Sequence, residues 1–351
     1  MATPLPKRPH LDRLILANST LNTPTPVLTT PLPSSGESRH RAANQEAFAS
    51  FHEQERMLAD RPRMAFYAET IRRHIHPGDR VIDLGTGTGI LAALASRRGA
   101  HVHALDHSSM LEHAKELAAA NGIERVEFVS GHSSTFTLPE PVDVILHEQM
   151  GNCLFDEAML PNILDLRDRL LKPGGRIVPA RFEFFCEPVQ VAERRHIPFI
   201  WNLKIEGFDY SSLEHQRSQD PGYYRLRTDD PTFIAHFLTA PAPALAFDLH
   251  TVNESTLSHE LVSRRTVTEA GRIDAIAIYF TTLVDDDLRL TTAPQDPGHA
   301  PHWGYRLLRT EPATYAVGDI IETKLSAGRW HDLDSWRWSH RLCSPNEAQT
   351  P

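Results

Sequence analysis

Several features that would point to other classes of protein are missing from this chain. No apolar run is long enough to span a bilayer, and the N-terminus lacks the continuous apolar stretch of a signal peptide. Acidic residues outnumber basic ones by 45 to 36, and the formal net charge is −9, which does not favour a nucleic-acid partner. The sequence therefore predicts neither a membrane nor a nucleic-acid partner.

Cysteine and lysine are also scarce. The three cysteines, Cys153, Cys186 and Cys343, are odd in number and show no metal-ligand spacing. We therefore expect no metal site and a reducing compartment, the cytoplasm. Lysine is nearly absent while arginine is abundant, a pattern that we attribute to genome composition rather than function. The remaining composition is that of a globular protein, and 351 residues are enough for two domains.

A glycine-rich turn follows the clearest buried strand. Residues 81–84 lead into glycines at positions 85, 87 and 89, and then into a string of good helix formers. A strand, a glycine turn and a helix in this order bring backbone close to a ligand at the edge of a doubly wound sheet. The next strand ends at Asp106, whose carboxylate suits a ribose diol. The spacing is not that of dinucleotide enzymes or phosphate loops, so a different nucleotide is expected.

The pattern of the chain changes at residue 179. Residues 1–40 are rich in Pro, Thr and Ser and are predicted to be a disordered tail. Residues 41–179 read as N-terminal helices followed by alternating strands and helices of a Rossmann-like domain. Residues 180–345 carry the runs of an antiparallel β-barrel. An aromatic-rich insertion at about 197–244 is interpreted as an interaction arm, the alternative being an insertion packed on its own subunit.

Two acidic residues flank the loop after the central strand. Glu148 leaves that strand at its carboxyl end, Glu157 follows nine residues later, and Gly151 between them permits a tight reversal. Two carboxylates in one pocket repel each other unless a cation lies between them. A planar guanidinium with five N–H donors can satisfy both. The loop therefore predicts a site for a guanidinium group.

With these motifs, the chain resembles the protein arginine methyltransferases. The loop from Glu148 to Glu157 resembles the double-glutamate loop of that family. Residues 57–63 resemble its Met-Leu-x-Asp-x-x-Arg signature, and residues 301–303 resemble its Thr-His-Trp loop. The resemblance implies an α/β fold: a Rossmann-like seven-stranded methyltransferase domain followed by an antiparallel β-barrel with an inserted helical dimerisation arm. It also implies S-adenosyl-L-methionine as cofactor, S-adenosyl-L-homocysteine as product, and a homodimer formed through the arm.

The resemblance further implies a role for each matching residue. Glu148 and Glu157 would hold the guanidinium, with His302 beside that pocket and oriented by Asp60. Glu157 or the His302–Asp60 pair could take the departing proton. Substrate-binding residues would be Met57, Met159 and Trp303. The implied cofactor-binding residues are Arg63, Asp83, Gly85, Thr86, Gly87, Gly89, Asp106, His107, Ser133, Ser134 and Glu148.

Several positions depart from the family pattern. The family's paired tyrosines fall on Asn44 and Phe48, its histidine before Glu-x-Met-Leu on Gln54, its threonine on Pro301, and its adenine-contacting acid on Ser134. Three functions therefore stay open at this point. The acceptor is arginine in a protein, or free arginine or another small guanidino metabolite, or the chain is a catalytically weak scaffold that binds cofactor and dimerises. The number and symmetry of the added methyl groups also stay open.

Overall fold

Two helices precede the first strand in the computed structural model, which describes residues 49–343. Helix α1 spans Phe51–Ala59 and helix α2 spans Arg61–His74; Asp60 ends the first and caps the second. Pro62 lies in the first turn of α2, where its missing N–H would have no helical partner anyway. The predicted tail at residues 1–40, and the positions of Asn44 and Phe48, lie outside the described residues.

Parallel strands alternate with helices in the first half of the chain. In order these elements are β1 Arg80–Leu84, α3 Ile90–Arg97, β2 His101–Asp106, α4 Met110–Ala120, β3 Val126–Ser130, β4 Val142–His147, α5 Met159–Leu170 and β5 Leu171–Val178. The sheet order is β3-β2-β1-β4-β5. Because the order reverses beside β1, the carboxyl ends of β1 and β4 border the crevice where open α/β sheets bind ligands. The parallel sheet has five strands rather than the seven expected, because the chain after Val178 enters a different sheet.

The remaining strands are antiparallel. They are β6 Arg181–Val191, β7 Lys204–Ile205, β8 Phe208–Asp209, β9 Arg225–Thr228, β10 Ile234–Phe237, β11 Pro243–Asp248, β12 Glu260–Thr266, β13 Gly271–Leu283, β14 Arg289–Thr291, β15 Tyr305–Tyr315, β16 Ile320–Ala327 and β17 Trp336–Leu342. A seven-stranded sheet has the order β10-β6-β13-β15-β9, with β11 and β14 paired to β6 and β13, and a three-stranded sheet has the order β12-β16-β17. A bridge between Thr239 and Val267 joins these two curled sheets. The predicted α/β fold class is thereby confirmed.

The predicted arm differs from its expected helical form. Residues 197–244 contain short 3-10 turns and the small β7–β8 hairpin, with no α-helix, while β9 and β10 belong to the seven-stranded sheet. Trp201 is buried against Phe199 and Tyr224 of the same chain, and its indole N–H donates to Glu311 at 3.0 Å. Phe208 at the hairpin is 71% exposed. The segment is therefore packed on its own subunit at its base and free at its tip.

One apolar core runs through both halves of the chain. Val81 and Val144 of the parallel sheet belong to the same buried cluster as Phe184 of β6 and Trp336 of β17. Burial of apolar surface contributes about 25 cal/mol per Å², so a shared core holds the two halves in one fixed relation. The predicted division at residue 179 falls inside this core, between β5 and β6. Among residues 49–343, no helix combines the length and apolar character of a membrane span.

Candidate active site

The glycine-rich turn lies at the carboxyl end of β1. Gly85, Gly87 and Gly89 have φ angles of 73°, 54° and 81°, in the left-handed region that favours glycine. A Cβ added at Gly85 would lie 2.9 Å from Nε2 of Gln149, and one at Gly87 would lie 3.0 Å from Oε1 of Gln54. Glycine is therefore favoured here by the backbone conformation, and a side chain at Gly85 or Gly87 would also require the end of a glutamine side chain to move.

Two aspartates hold this turn in place. Asp83 is buried in β1 and accepts a hydrogen bond from the Thr86 hydroxyl at 2.6 Å, and burial raises the pKa of Asp83 to about 7. Asp106 ends β2 and accepts hydrogen bonds from the N–H groups of Gly87 at 2.8 Å and Ser108 at 2.7 Å. Each carboxylate oxygen has a second lone pair. Asp106 borders the adjacent cavity, so it can still accept bonds from a pair of hydroxyls there.

A cavity of about 260 Å³ lies between this turn and the loop after β4. Its walls come from α1, from the ends of β1, β2 and β3, from the loop after β4, and from the turn before β17. The structure brings together at this cavity the predicted site residues Met57, Arg63, Gly85, Thr86, Gly87, Asp106, His107, Glu148 and Glu157.

The loop between β4 and α5 is a closed hairpin. The N–H of Leu154 donates to the Gly151 carbonyl at 2.8 Å, and the N–H of Cys153 donates to Asp156 at 2.8 Å. A Cβ on Gly151 would lie 2.1 Å from Oδ1 of Asp156, so the reversal predicted at Gly151 depends on the absence of a side chain. This closure brings the two ends of the loop to the same cavity.

The two glutamates of this loop differ in their partners. Oε2 of Glu148 accepts a hydrogen bond from Nη2 of Arg63 at 2.7 Å, and the two side chains are 10% and 6% exposed. Glu157 forms no ion pair with any residue in the described part of the chain. Burial raises the pKa of Glu148, with Arg63 opposing the rise; burial and then repulsion from Glu148 raise the pKa of Glu157 well above its ordinary value. A cation in the cavity would relieve both effects.

His302 lies beside the site, but its ring is not paired with Asp60 as expected. The Asp60 carboxylate accepts hydrogen bonds from the backbone N–H groups of Arg63 at 3.0 Å and His302 at 2.9 Å. Nδ1 of the imidazole is 3.5 Å from Oε1 of Glu53. Burial and the nearby charges of Arg63 and Arg56 lower the pKa of His302 to about 3, so the ring is neutral. Asp60 therefore orients the loop backbone and not the imidazole.

Two residues predicted to bind substrate lie in the core beneath the site. Trp303 is buried, its indole N–H donates to the carbonyl of Met150, and its ring packs edge-on against Phe280 with centroids 5.8 Å apart. Met159 is fully buried at the start of α5. Neither lines the cavity. Their packing supports the double-glutamate loop from behind, and their expected role as direct substrate contacts stays a prediction.

The two serines predicted to bind the cofactor also lie outside the cavity wall. Ser133 is buried and its carbonyl accepts a hydrogen bond from Arg169, while the hydroxyl of exposed Ser134 lies 2.9 Å from Nδ1 of His132. The wall is formed instead by His132 and the exposed His107, whose ring centroids are 6.1 Å apart. His132 was not predicted from the sequence, and it lies two residues before Ser134, the position matched to the family's adenine-contacting acid.

Other unpredicted residues reach the cavity from distant parts of the chain. Gln149 and Asp156 belong to the double-glutamate loop itself, so their place in sequence could have signalled them. Asp332 and Asp334 lie in the turn before β17, far along the chain from the other site residues. No local sequence signal marks that turn as part of a site, because its position depends on how the antiparallel sheets pack.

Comparison with known proteins adds independent information. Residues 81–175 match a family model described as a methyltransferase domain. The protein arginine N-methyltransferase PRMT10 of Oryza sativa subsp. japonica is 28% identical over 337 residues, covering 87% of this chain and 88% of the relative. The protein of the same name from Arabidopsis thaliana is 28% identical over 313 residues, covering 80% of this chain and 81% of the relative.

Solved structures agree with the fold. The crystal structure of Arabidopsis thaliana protein arginine methyltransferase 10, described as a uniquely open conformation, superimposes with a TM-score of 0.71 at 24% identity, covering 85% of this chain and 94% of the other. The Trypanosoma brucei PRMT1 enzyme–prozyme heterotetrameric complex with AdoHcy gives a TM-score of 0.72 at 24% identity, covering 87% of this chain and 97% of the other. At this level of identity, the structures support the fold alone.

Proposed function

Because the chain belongs to the protein arginine N-methyltransferase family, we propose that it transfers a methyl group from S-adenosyl-L-methionine to the guanidinium of arginine in proteins. The observation that carries this proposal is the loop from Glu148 to Glu157. It brings two carboxylates with raised pKa to one cavity, beside a glycine turn. A guanidinium would neutralise both carboxylates, whereas among residues 49–343 only Glu148 has a cationic partner.

The residues around the cavity fit the cofactor. Side chains at Gly85 and Gly87 would occupy space next to the turn, so their absence leaves room for a ligand along the backbone. Asp106 has free lone pairs for the ribose hydroxyls. Nε of Arg63 is buried without a hydrogen-bond partner, and a carboxylate would satisfy it. When bound, S-adenosyl-L-methionine supplies an electrophilic methyl group on a sulfonium.

The two glutamates activate the acceptor through charge and direction. A guanidinium is protonated at neutral pH, since its pKa is above about 12, and its delocalised nitrogens are poor nucleophiles. Glu148 and Glu157, bonded to two of the nitrogens, draw positive charge towards those nitrogens and leave the third with more lone-pair character. They also fix the direction in which that third nitrogen points. Positioning and electrostatic stabilisation of this kind supply much of the acceleration in enzymes.

The guanidinium must also lose a proton, and Glu157 is the acceptor that the geometry favours. It borders the cavity, has no cationic partner, and has a raised pKa, so it is the stronger base of the two glutamates. His302 is a poorer choice, because its pKa is lowered to about 3 and its ring does not contact Asp60. A scaffold without activity would not explain a half-buried Glu157 without an ion-pair partner among residues 49–343, since such a charge costs folding free energy.

The test is a tritiated-methyl transfer assay on the purified protein. It is run on an Arg-Gly-rich peptide, on proteins of a cell lysate and on free arginine, with excess S-adenosyl-L-homocysteine as the inhibited control. We expect label on peptide or lysate protein, recovered as methylarginine after hydrolysis. Label on free arginine alone would make the enzyme a small-molecule methyltransferase. No label on any acceptor, with cofactor still bound in calorimetry, would refute the proposed activity.

A homodimer is the second part of the proposal. The tip of the β7–β8 hairpin exposes Phe208 and Ile205, and an apolar groove between α3 and α4 exposes Leu117. Insertion of each tip into the groove of a second copy would cover both apolar surfaces in a two-fold interface. Phe208→Ser should then convert the dimer into a monomer in sedimentation, whereas Val317→Ser, at an equally exposed turn, should not. A dimer that survives Phe208→Ser would place the interface elsewhere.

We place the protein in the cytoplasm. Cys153 and Cys186 are buried free thiols. Free thiols in this number are typical of a reducing compartment.

A further inference from the structure

Four arginines gather beside the double-glutamate loop, and we call them the arginine cluster: Arg56 of α1, Arg225 and Arg227 of β9, and Arg306 of β15. In the antiparallel pairing of β9 with β15, Arg306 lies directly opposite Arg227. Arg225 is two residues from Arg227 and therefore lies on the same face of the sheet. Like charges directly opposite each other destabilise a sheet. An arrangement of this kind needs a compensating interaction.

The cluster is connected to the active site through the His302 loop and Asp334. Nη2 of Arg56 and Nη2 of Arg227 both donate to the carbonyl of His302, each at 3.1 Å. Arg225 forms an ion pair with Asp334, which lines the cavity that contains Glu148 and Glu157. The guanidinium groups therefore lie next to the cavity, behind the His302 loop and the turn before β17, and none of the four arginines lines the cavity itself.

Half of the positive charge in the cluster has no carboxylate partner among residues 49–343. Arg56 pairs with Glu53, and Arg225 pairs with Asp334, but Arg227 and Arg306 form no ion pair in that part of the chain. Nε of Arg306 and Nη1 of Arg225 are buried without a hydrogen-bond partner.

The neighbours of the cluster do not offset this charge. Burial, together with the charges of Arg56 and Arg306, lowers the pKa of Arg227, although Glu53 and Asp229 oppose that change. The adjacent thiol of Cys153 stays neutral, because burial raises its pKa to about 12. The buried donors on Arg306 and Arg225 cost free energy until a ligand satisfies them, whereas Arg227 is exposed and available to a ligand. The positive surplus occurs in a chain whose net charge is −9.

We propose that the arginine cluster binds a carboxylate of the acceptor substrate. The inference rests on the proposed function, in which Glu148 and Glu157 hold the guanidinium of that acceptor. A carboxylate near the methylated arginine would then lie close to the guanidinium donors beside the cavity, and such charge-assisted pairs are strong and directional. Two sources supply this chemistry: the α-carboxylate of a free or C-terminal arginine, and the side chain of an acidic residue next to the arginine in a peptide.

The test compares ligands that differ only in one charge. Calorimetry on the full-length protein saturated with S-adenosyl-L-homocysteine measures the affinity for Nα-acetylarginine and its amide, and for acetyl-Arg-Asp-amide and acetyl-Arg-Asn-amide. A hydrogen bond to a charged group contributes about 1.5–3 kcal/mol, so the carboxylate member of one pair should bind roughly 10- to 100-fold more tightly. The pair that shows the preference identifies the source of the carboxylate.

Variants of the cluster complete the test. The double variant Arg227→Met/Arg306→Met should bind the two members of that pair equally. Arg72→Met, which removes an exposed arginine of α2, should keep the preference. Undiminished affinity for S-adenosyl-L-homocysteine shows that a variant is folded. If the double variant does not fold, Arg227→Met alone replaces it, because Arg227 is the more exposed of the two positions.

Two results would overturn the proposal: wild-type protein that binds both members of each pair equally or not at all, and a preference that survives in the variant. Failure of the proposed methyltransferase activity would be seen in a different measurement. Methyl transfer to an Arg-Gly peptide that lacks carboxylates tests that function separately, and it can be present when the carboxylate preference is absent.

Discussion

The substitutions Glu148→Gln and Glu157→Gln remove the same charge from the two ends of one loop, but they should affect folding in opposite ways. Glu148 is paired with Arg63 at 2.7 Å, and both side chains are almost completely buried. Removing one member of a buried ion pair costs about 3–5 kcal/mol, because the other charge stays buried. Glutamine can still accept one hydrogen bond from Arg63, so the lower end of that range, about 3 kcal/mol, is expected for Glu148→Gln.

Glu157→Gln should have the opposite effect. The pKa of both glutamates is raised, but only Glu148 neutralises a buried cation, and Glu157 leaves no charge behind when it is replaced. Its folded-state pKa lies well above the ordinary value of 4.5, so the carboxyl is protonated in both states at lower pH and carries no penalty there. As the pH rises from 4.5 towards the folded-state pKa, the unfolded chain loses its proton first. The folded state then loses stability by about 1.4 kcal/mol per pH unit. Glu157→Gln removes this loss, so the variant should be more stable than wild type at pH 8, with the difference vanishing towards pH 4.

Thermal unfolding at several pH values measures both effects, with Glu116→Gln as the exposed control. At about 2–4 °C per kcal/mol, the melting temperature of Glu148→Gln should fall by roughly 10 °C. Methyl transfer should fall by about 10²–10³-fold in both variants, the usual cost of one preorganised electrostatic group. Equal destabilisation by the two substitutions at pH 8 would refute the reasoning about Glu157. Full activity in Glu148→Gln would refute the guanidinium assignment.

Two further predictions concern the cofactor turn and the proton acceptor. Gly87→Ala should weaken S-adenosyl-L-homocysteine binding at least tenfold in calorimetry, because its φ is 54° and the new Cβ would lie 3.0 Å from Gln54. Gly122→Ala, with a φ of 61° and no atom within 4 Å of the new Cβ, should lower the melting temperature and keep the affinity; equal loss of binding in both would contradict a role for space at the turn. His302→Gln should keep the acid limb of the pH–rate profile, since the pKa of His302 is lowered to about 3 while Glu157 titrates at higher pH. An acid limb that disappears would assign the proton to His302 instead.

The parts of the fold that could be predicted are those with a local signal. The buried strand, the glycine turn and Asp106 follow one another within a short stretch, and each reports its own backbone conformation. The loop from Glu148 to Glu157 is similar, because its ends and its glycine lie within ten residues. Such elements depend little on the rest of the chain, and the structure contains them as expected.

Features that depend on tertiary packing could not be predicted from the sequence in the same way. Strand β15 begins at Tyr305, but its first half carries Arg306 and Arg309, which interrupt the apolar pattern, so the start of this strand has no local signal in the sequence. Asp60 was expected to contact the His302 ring, yet it binds the His302 backbone N–H. A motif places the two residues near each other, but it does not determine which atoms meet.

Unpaired charges of opposite sign lie on adjoining sides of the same site. Glu157 has no cation, and Arg227 and Arg306 have no carboxylate, in the part of the chain that the structure describes. They do not neutralise each other directly, so folding alone leaves both costs in place. A ligand that carries a guanidinium at one end and a carboxylate at the other would offset both at once. Affinity for such a ligand would then come from charges that the folded chain already holds in position, which is the advantage of preorganisation.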